Sequence, residues 1–199
     1  MRHVVLLGDS ILDNGAYTDG GPDVVAQLRA ALPAGDRATL VAVDGATTAG
    51  IPAQLARVPR DATHLVLSVG GNDALGHVGL LEEPARTVGG ALLAVDHVLA
   101  RFRQDYERAL DLVVARGLPT LACTIYDGHF PDRDFQRMAR VMAALFGDAI
   151  RRAADVRGAR VLDLRPVVHR PEHYANPIEP ASPGGERIAR AIVDALTGA

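Results

Sequence analysis

Short apolar runs alternate with stretches of helical periodicity along the whole chain, and that alternation narrows the choice of fold more than any other feature. The runs are Val4–Leu7, Thr39–Val43, His64–Val69, Leu118–Ile125 and Val161–Leu164. Each is too short for a core helix, and the first three stop at glycine or aspartate. Between them lie segments with apolar residues three and four apart. Val24, Val25, Leu28 and Leu32 follow Pro22, which suits a first helical turn, and a short helix is expected over 52–58. The longest is expected over 84–116, with Leu92, Val95, Leu99, Phe102, Tyr106, Leu110 and Val113 facing the core. Another starts at Asp132 as N-cap and turns Phe135, Met138, Met142, Leu145, Ala149 and Ala153 inward as far as Gly158. Ser182 as N-cap and Pro183 open the last, which runs to about Leu196. Strand alternating with helix calls for a parallel sheet covered on both faces. The expectation is an α/β chain, a three-layer α/β/α sandwich on a five-stranded parallel sheet, forming one domain over residues 1–199.

Composition removes several functions. With 21 Lys+Arg against 24 Asp+Glu, the net charge is −3, which offers no basic surface to nucleic acid or to an anionic membrane. Every basic side chain is arginine, so mechanisms that need a lysine are excluded. Cys123 is the single cysteine and lies inside the fourth apolar run, where inert packing is expected. No His/Cys/Asp/Glu spacing resembles a metal site, and no cofactor is expected. The first strand follows Met1-Arg2-His3 directly and no apolar run reaches membrane-spanning length, so a cytoplasmic protein is expected. A homodimer is compatible with all of this.

Three strand ends carry the chemistry. Ser10 follows Gly8-Asp9 after the first strand; it is one of three serines, with Ser68 and Ser182. Gly45 lies in Asp44-Gly45-Ala46-Thr47-Thr48 after the second, and Asn72 in Gly70-Gly71-Asn72-Asp73 after the third. In a parallel sheet all three open on one edge, where such folds bind ligands. A serine hydroxyl can attack a carbonyl there, while a bare peptide N–H and an asparagine amide receive the oxyanion.

These blocks, in this order, resemble the SGNH (GDSL) hydrolases. Gly8-Asp9-Ser10 is similar to their opening block, Asp44 to Thr48 to the block that supplies an oxyanion glycine, and Gly70 to Asp73 to Gly-x-Asn-Asp. The resemblance spans nearly the whole chain and implies a flavodoxin-like sandwich and a serine esterase acting on a small or short-chain acyl ester. The family's fourth block, Asp-x-x-His-Pro, is here Asn176-Pro177-Ile178-Glu179-Pro180.

That departure bears on the proton. Histidine titrates near neutrality, whereas a glutamate needs burial to raise its pKa toward working pH. The expected constellation is therefore Ser10, Gly45 and Asn72, with Glu179 as base and Asn176 orienting it. His173 or His169 from the same irregular segment is a competing base. Asp9, His173 and Tyr126 are further candidates for the substrate site, while His129 and Phe130 carry less weight. A catalytically weak or silent relative that binds an acyl ligand is the alternative. A flavin-binding module fits less well, because Asp9, Asp13 and Asp19 would face its phosphate.

Overall fold

The computed structural model describes residues 1–198. Its strands are β1 (His3–Gly8), β2 (Arg37–Leu40), β3 (His64–Ser68), β4 (Thr120–Cys123) and β5 (Arg160–Leu162). All pair in parallel, in the order β2-β1-β3-β4-β5. The α-helices are α1 (Val24–Ala31), α2 (Ile51–Leu55), α3 (Gly71–Leu75), α4 (Val88–Val114), α5 (Arg133–Val156) and α6 (Ser182–Thr197). The expected α/β sandwich on a five-stranded parallel sheet is what forms.

β1 explains why its sequence lacks polar alternation. Val4 and Leu6 pack into the core under α1 and α6, while Val5 and Leu7 pack on the opposite face under α2, α4 and α5. All four are fully buried, as a central parallel strand requires. The chain leaves β1 toward β2 on one side, and β3 lies on the other. The crevice between their carboxyl ends is thus the switch point where open α/β sheets bind ligands.

Several element limits differ from expectation for local reasons. β2 ends at Leu40: the N–H groups of Val41 and Ala42 both donate to the Leu6 carbonyl, so the regular ladder stops. Helix α1 is capped by Asp23, whose carboxylate accepts from the Ala26 N–H at 2.7 Å, and Pro22 lies outside it. Ser182 is the first helical residue of α6 rather than its cap, and its hydroxyl donates to the Pro22 carbonyl at 2.8 Å. Helix α3, a five-residue turn that starts directly after the positive-φ Gly70, was not expected at all.

The two long helices depart most. Both begin as their caps dictate, Thr87 accepting from Gly90 N and Asp132 from Phe135 N. In α4 the stripe from Leu99 to Val113 is buried, but Leu92 is 64% exposed. In α5, Met138 and Leu145 are exposed while Phe146, Ala149, Ile150 and Ala153 are buried. Ala149 and Ala153 of the expected stripe are thus buried, while Phe146 rather than Leu145 meets α4, its ring centroid 4.6 Å from that of Phe102.

Candidate active site

Ser10 sits in a turn built by its neighbours. Asp9 O accepts from Leu12 N and Asp13 N, and Asp9 N donates to the Ser68 carbonyl at 3.0 Å. That last contact brings β1 and β3 so close that a Cβ on Gly8 would fall on the Ser68 carbonyl, and Gly8 holds φ +132 besides. The buried Gln54 of α2 clamps the same glycine from both sides. Its Oε1 accepts from Gly8 N and its Nε2 donates to Gly8 O, each at 2.7 Å.

The Ser10 and Gly45 N–H groups make no hydrogen bond among the described residues, so both are available to an incoming oxygen. Asn72 Nδ2 donates to Ala46 O at 2.9 Å, which sets the Gly45 turn beside the amide and leaves its second hydrogen to spare. Asp73 secures the same junction, accepting from Thr48 N and from the Thr48 hydroxyl at 2.6 Å. Gly45 itself has φ +76, the left-handed conformation glycine tolerates.

Glu179 arrives from a tight loop. Tyr174 and Pro180 form an antiparallel bridge, and Ala175 N donates to Glu179 O. Asn176 Oδ1 accepts from the N–H groups of Ile178 and Glu179 at 3.0 and 2.9 Å, so the asparagine fixes the Glu179 backbone rather than its carboxylate. Two further ties hold the loop: Tyr126 OH donates to Ile178 O at 2.6 Å, and Asn14 Nδ2 donates to Pro180 O at 3.0 Å.

Glu179 is 6% exposed, and its Oε2 is buried without a partner. Burial pushes its pKa above the ordinary 4.5; the Ser10 hydroxyl beside it pulls in the opposite direction, and the Asp44 charge raises it further. The Ser10–Glu179 contact stays short of a well-aligned hydrogen bond. Asp9 lies under the same site, and burial raises its carboxyl to about 8, with the charges of Glu179 and Asp73 adding to the shift. Two carboxyls so placed cannot both ionise cheaply.

Ser10, Asn72, Glu179, Asp9 and Tyr126 all line one cavity of about 120 Å³. Gly45, Asn176 and His173 are not on its wall. His173 is buried elsewhere: its Nδ1 accepts from the N–H groups of His169 and Arg170, and burial lowers its pKa, so the ring is neutral. His169 packs edge-on against it, and His129 stacks on Tyr174. The histidine that does line the cavity is His77, which follows α3 and had drawn no notice in the sequence. Cys123 is 1% exposed and burial pushes its thiol up to about 12, the state of a packing residue.

Gln54 and Asn14 were also missed. Asn14 is fully buried and joins three elements, since its Oδ1 accepts from Val24 N at 2.8 Å while its amide holds the Glu179 loop. The available signal for both was a carboxamide within or beside an apolar segment.

The chain matches the GDSL-like lipase/acylhydrolase family over residues 6–182 and belongs to it. It is accordingly a hydrolase acting on ester bonds. Solved structures share the fold at low identity. The extracellular lipase of Streptomyces rimosus is 16% identical with a TM-score of 0.74, each chain covered over 100%. An α/β hydrolase from the metagenome of Lake Arreo, Spain, is 24% identical with a TM-score of 0.70, covering 99% of this chain and 95% of its own. An acetyl xylan esterase of Geobacillus stearothermophilus is 17% identical with a TM-score of 0.66, covering 96% and 93%. No curated protein sequence matches the chain. Among the described residues no helix is long and apolar enough to cross a membrane.

Proposed function

We propose that the chain is a serine esterase for small-molecule acyl esters, with Ser10 as nucleophile and Glu179 as its base. Glu179 accepts the Ser10 proton as Oγ bonds to the carbonyl carbon, and the Ser10 and Gly45 N–H groups with the Asn72 amide receive the oxyanion. The proton passes to the departing alcohol as the C–O bond breaks, and water then releases the acyl group by the same steps. A carboxylate can do this because burial has moved its pKa toward neutrality. The observation that carries the reading is a buried carboxyl oxygen with no partner, at the serine, on the wall of a cavity. An inert structural glutamate would have that oxygen satisfied.

The test is release of p-nitrophenol from p-nitrophenyl butyrate. Ser10→Ala is expected to lose at least a thousandfold in kcat/KM. Equal rates for wild type and Ser10→Ala would sink the reading. The second reading, a silent acyl-binding relative, draws on the imperfect Ser10–Glu179 alignment; it predicts ester binding without turnover in the wild type.

A further inference from the structure

The cavity beside Ser10 does not end at the polar groups. Its far wall is one face of the first half of α5: Phe135, Ala139, Met142, Ala143 and Phe146 stand at helical spacing along it, joined by Phe130. We infer that this chamber is the acyl subsite, and that it takes an uncharged acyl group of roughly four to six carbons. The inference rests on Ser10 being the nucleophile, and it goes further by naming which half of the ester enters and how long it is.

Size sets the length. A cavity of about 150 Å³ lined by aliphatic and aromatic side chains accepts benzene, a six-carbon molecule. By that scale the 120 Å³ here holds about five carbons, with the carbonyl carbon left at Ser10. Charge sets the class. Glu179, which must be ionised to act as base, lies on the wall with Asp127, so an acyl group ending in a carboxylate is repelled. Packing sets the limit: Ala139 and Ala143 create the space, and larger residues there would fill it. Phe146 closes the inner end, fully buried and packed at a tilt against Phe102. Each buried methylene should raise kcat/KM about fourfold until the chamber is full.

The experiment measures kcat/KM for p-nitrophenyl esters from acetyl to decanoyl, in wild type and in Ala143→Leu, with Ala139→Val as a milder second variant. In parallel, thermal shifts of Ser10→Ala are recorded with ethyl hexanoate and ethyl acetate. A wild-type optimum from butanoyl to hexanoyl is expected, with the hexanoyl-to-acetyl ratio falling at least tenfold in the folded variants. A Ser10-dependent activity that is flat with chain length, or is greatest for acetyl and unmoved by either variant, overturns the acyl subsite and leaves the esterase standing. Stabilisation of Ser10→Ala by ethyl hexanoate that either variant abolishes, with no turnover in the wild type, upholds the chamber and removes the serine esterase instead.

Discussion

The carboxyl edge of the sheet and the overhang made by the N-terminal parts of α4 and α5 are built on opposite lines, although the edge and α5 line the same cavity. At the edge, nearly every polar group is engaged: Gln54 grips Gly8, Asp73 grips Thr48, Asn72 grips Ala46, and Asn14 and Tyr126 hold the Glu179 loop. Free among the described residues are the Ser10 and Gly45 N–H groups, the second hydrogen of the Asn72 amide and one oxygen of Glu179. The helical overhang contributes shape instead. Leu92, Leu93, Met138 and Val141 are exposed on it, while the inner face of α5 lines the chamber. Reactive groups are thus held by a hydrogen-bonded frame, whereas the space for substrate is left by loosely covered side chains. Changes at the edge should cost stability and chemistry together; changes on the overhang should not.

The largest effect is expected at Gln54. Gln54→Ala leaves the Gly8 N–H orphaned in the core and removes two 2.7 Å bonds, a loss of about 3 kcal/mol by urea denaturation. A loss below about 1 kcal/mol would mean the edge is less rigidly framed than described.

Asp9 should show itself through pH. Its folded carboxyl holds a proton up to about 8, against 3.8 in the reference state. The folded chain therefore binds more protons across that window, and the stability present below pH about 4 is lost as pH rises through about 8. Asp9→Asn keeps the acceptor for Ile11 N but cannot ionise, so the fall in Tm between about pH 4 and 8 should flatten. Parallel curves for the two proteins would show that another group carries the dependence.

Smallest is the effect on the overhang. Leu92→Ala should change stability by less than about 0.5 kcal/mol, whereas Leu99→Ala, two turns further along the same helix, should cost about 3 kcal/mol. Equal losses would erase the contrast between the uncovered start of α4 and the covered stretch that begins at Leu99.

The same contrast governs how far the sequence could be read. Strand ends were legible because an apolar run that stops at Gly8-Asp9-Ser10 or Gly70-Gly71-Asn72 signals both burial and an edge. Ser10, Asn72 and Glu179 accordingly come together on one wall. The frame was not legible, because Gln54 and Asn14 act on partners 46 and 166 residues away. Asn176 acts over two and three residues, as an asparagine before a proline does in a turn, and so its grip falls on backbone rather than carboxylate. In α4 and α5 a stripe of apolar residues tells which side turns inward, but not where along the axis the neighbour ends. Leu92 and Met138 lie beyond that point.

Whether Glu179 takes the serine proton is the claim on which the chemistry turns, and the most direct measurement is kcat/KM against pH for wild type, Glu179→Gln and His77→Ala on p-nitrophenyl butyrate. A loss of about 100- to 10,000-fold in Glu179→Gln is expected, with less than about tenfold in His77→Ala. The wild-type acid limb should lie above the ordinary glutamate value of 4.5 and disappear in Glu179→Gln. A Glu179→Gln enzyme within threefold of wild type (about 0.6 kcal/mol) and with the same acid limb would contradict the account.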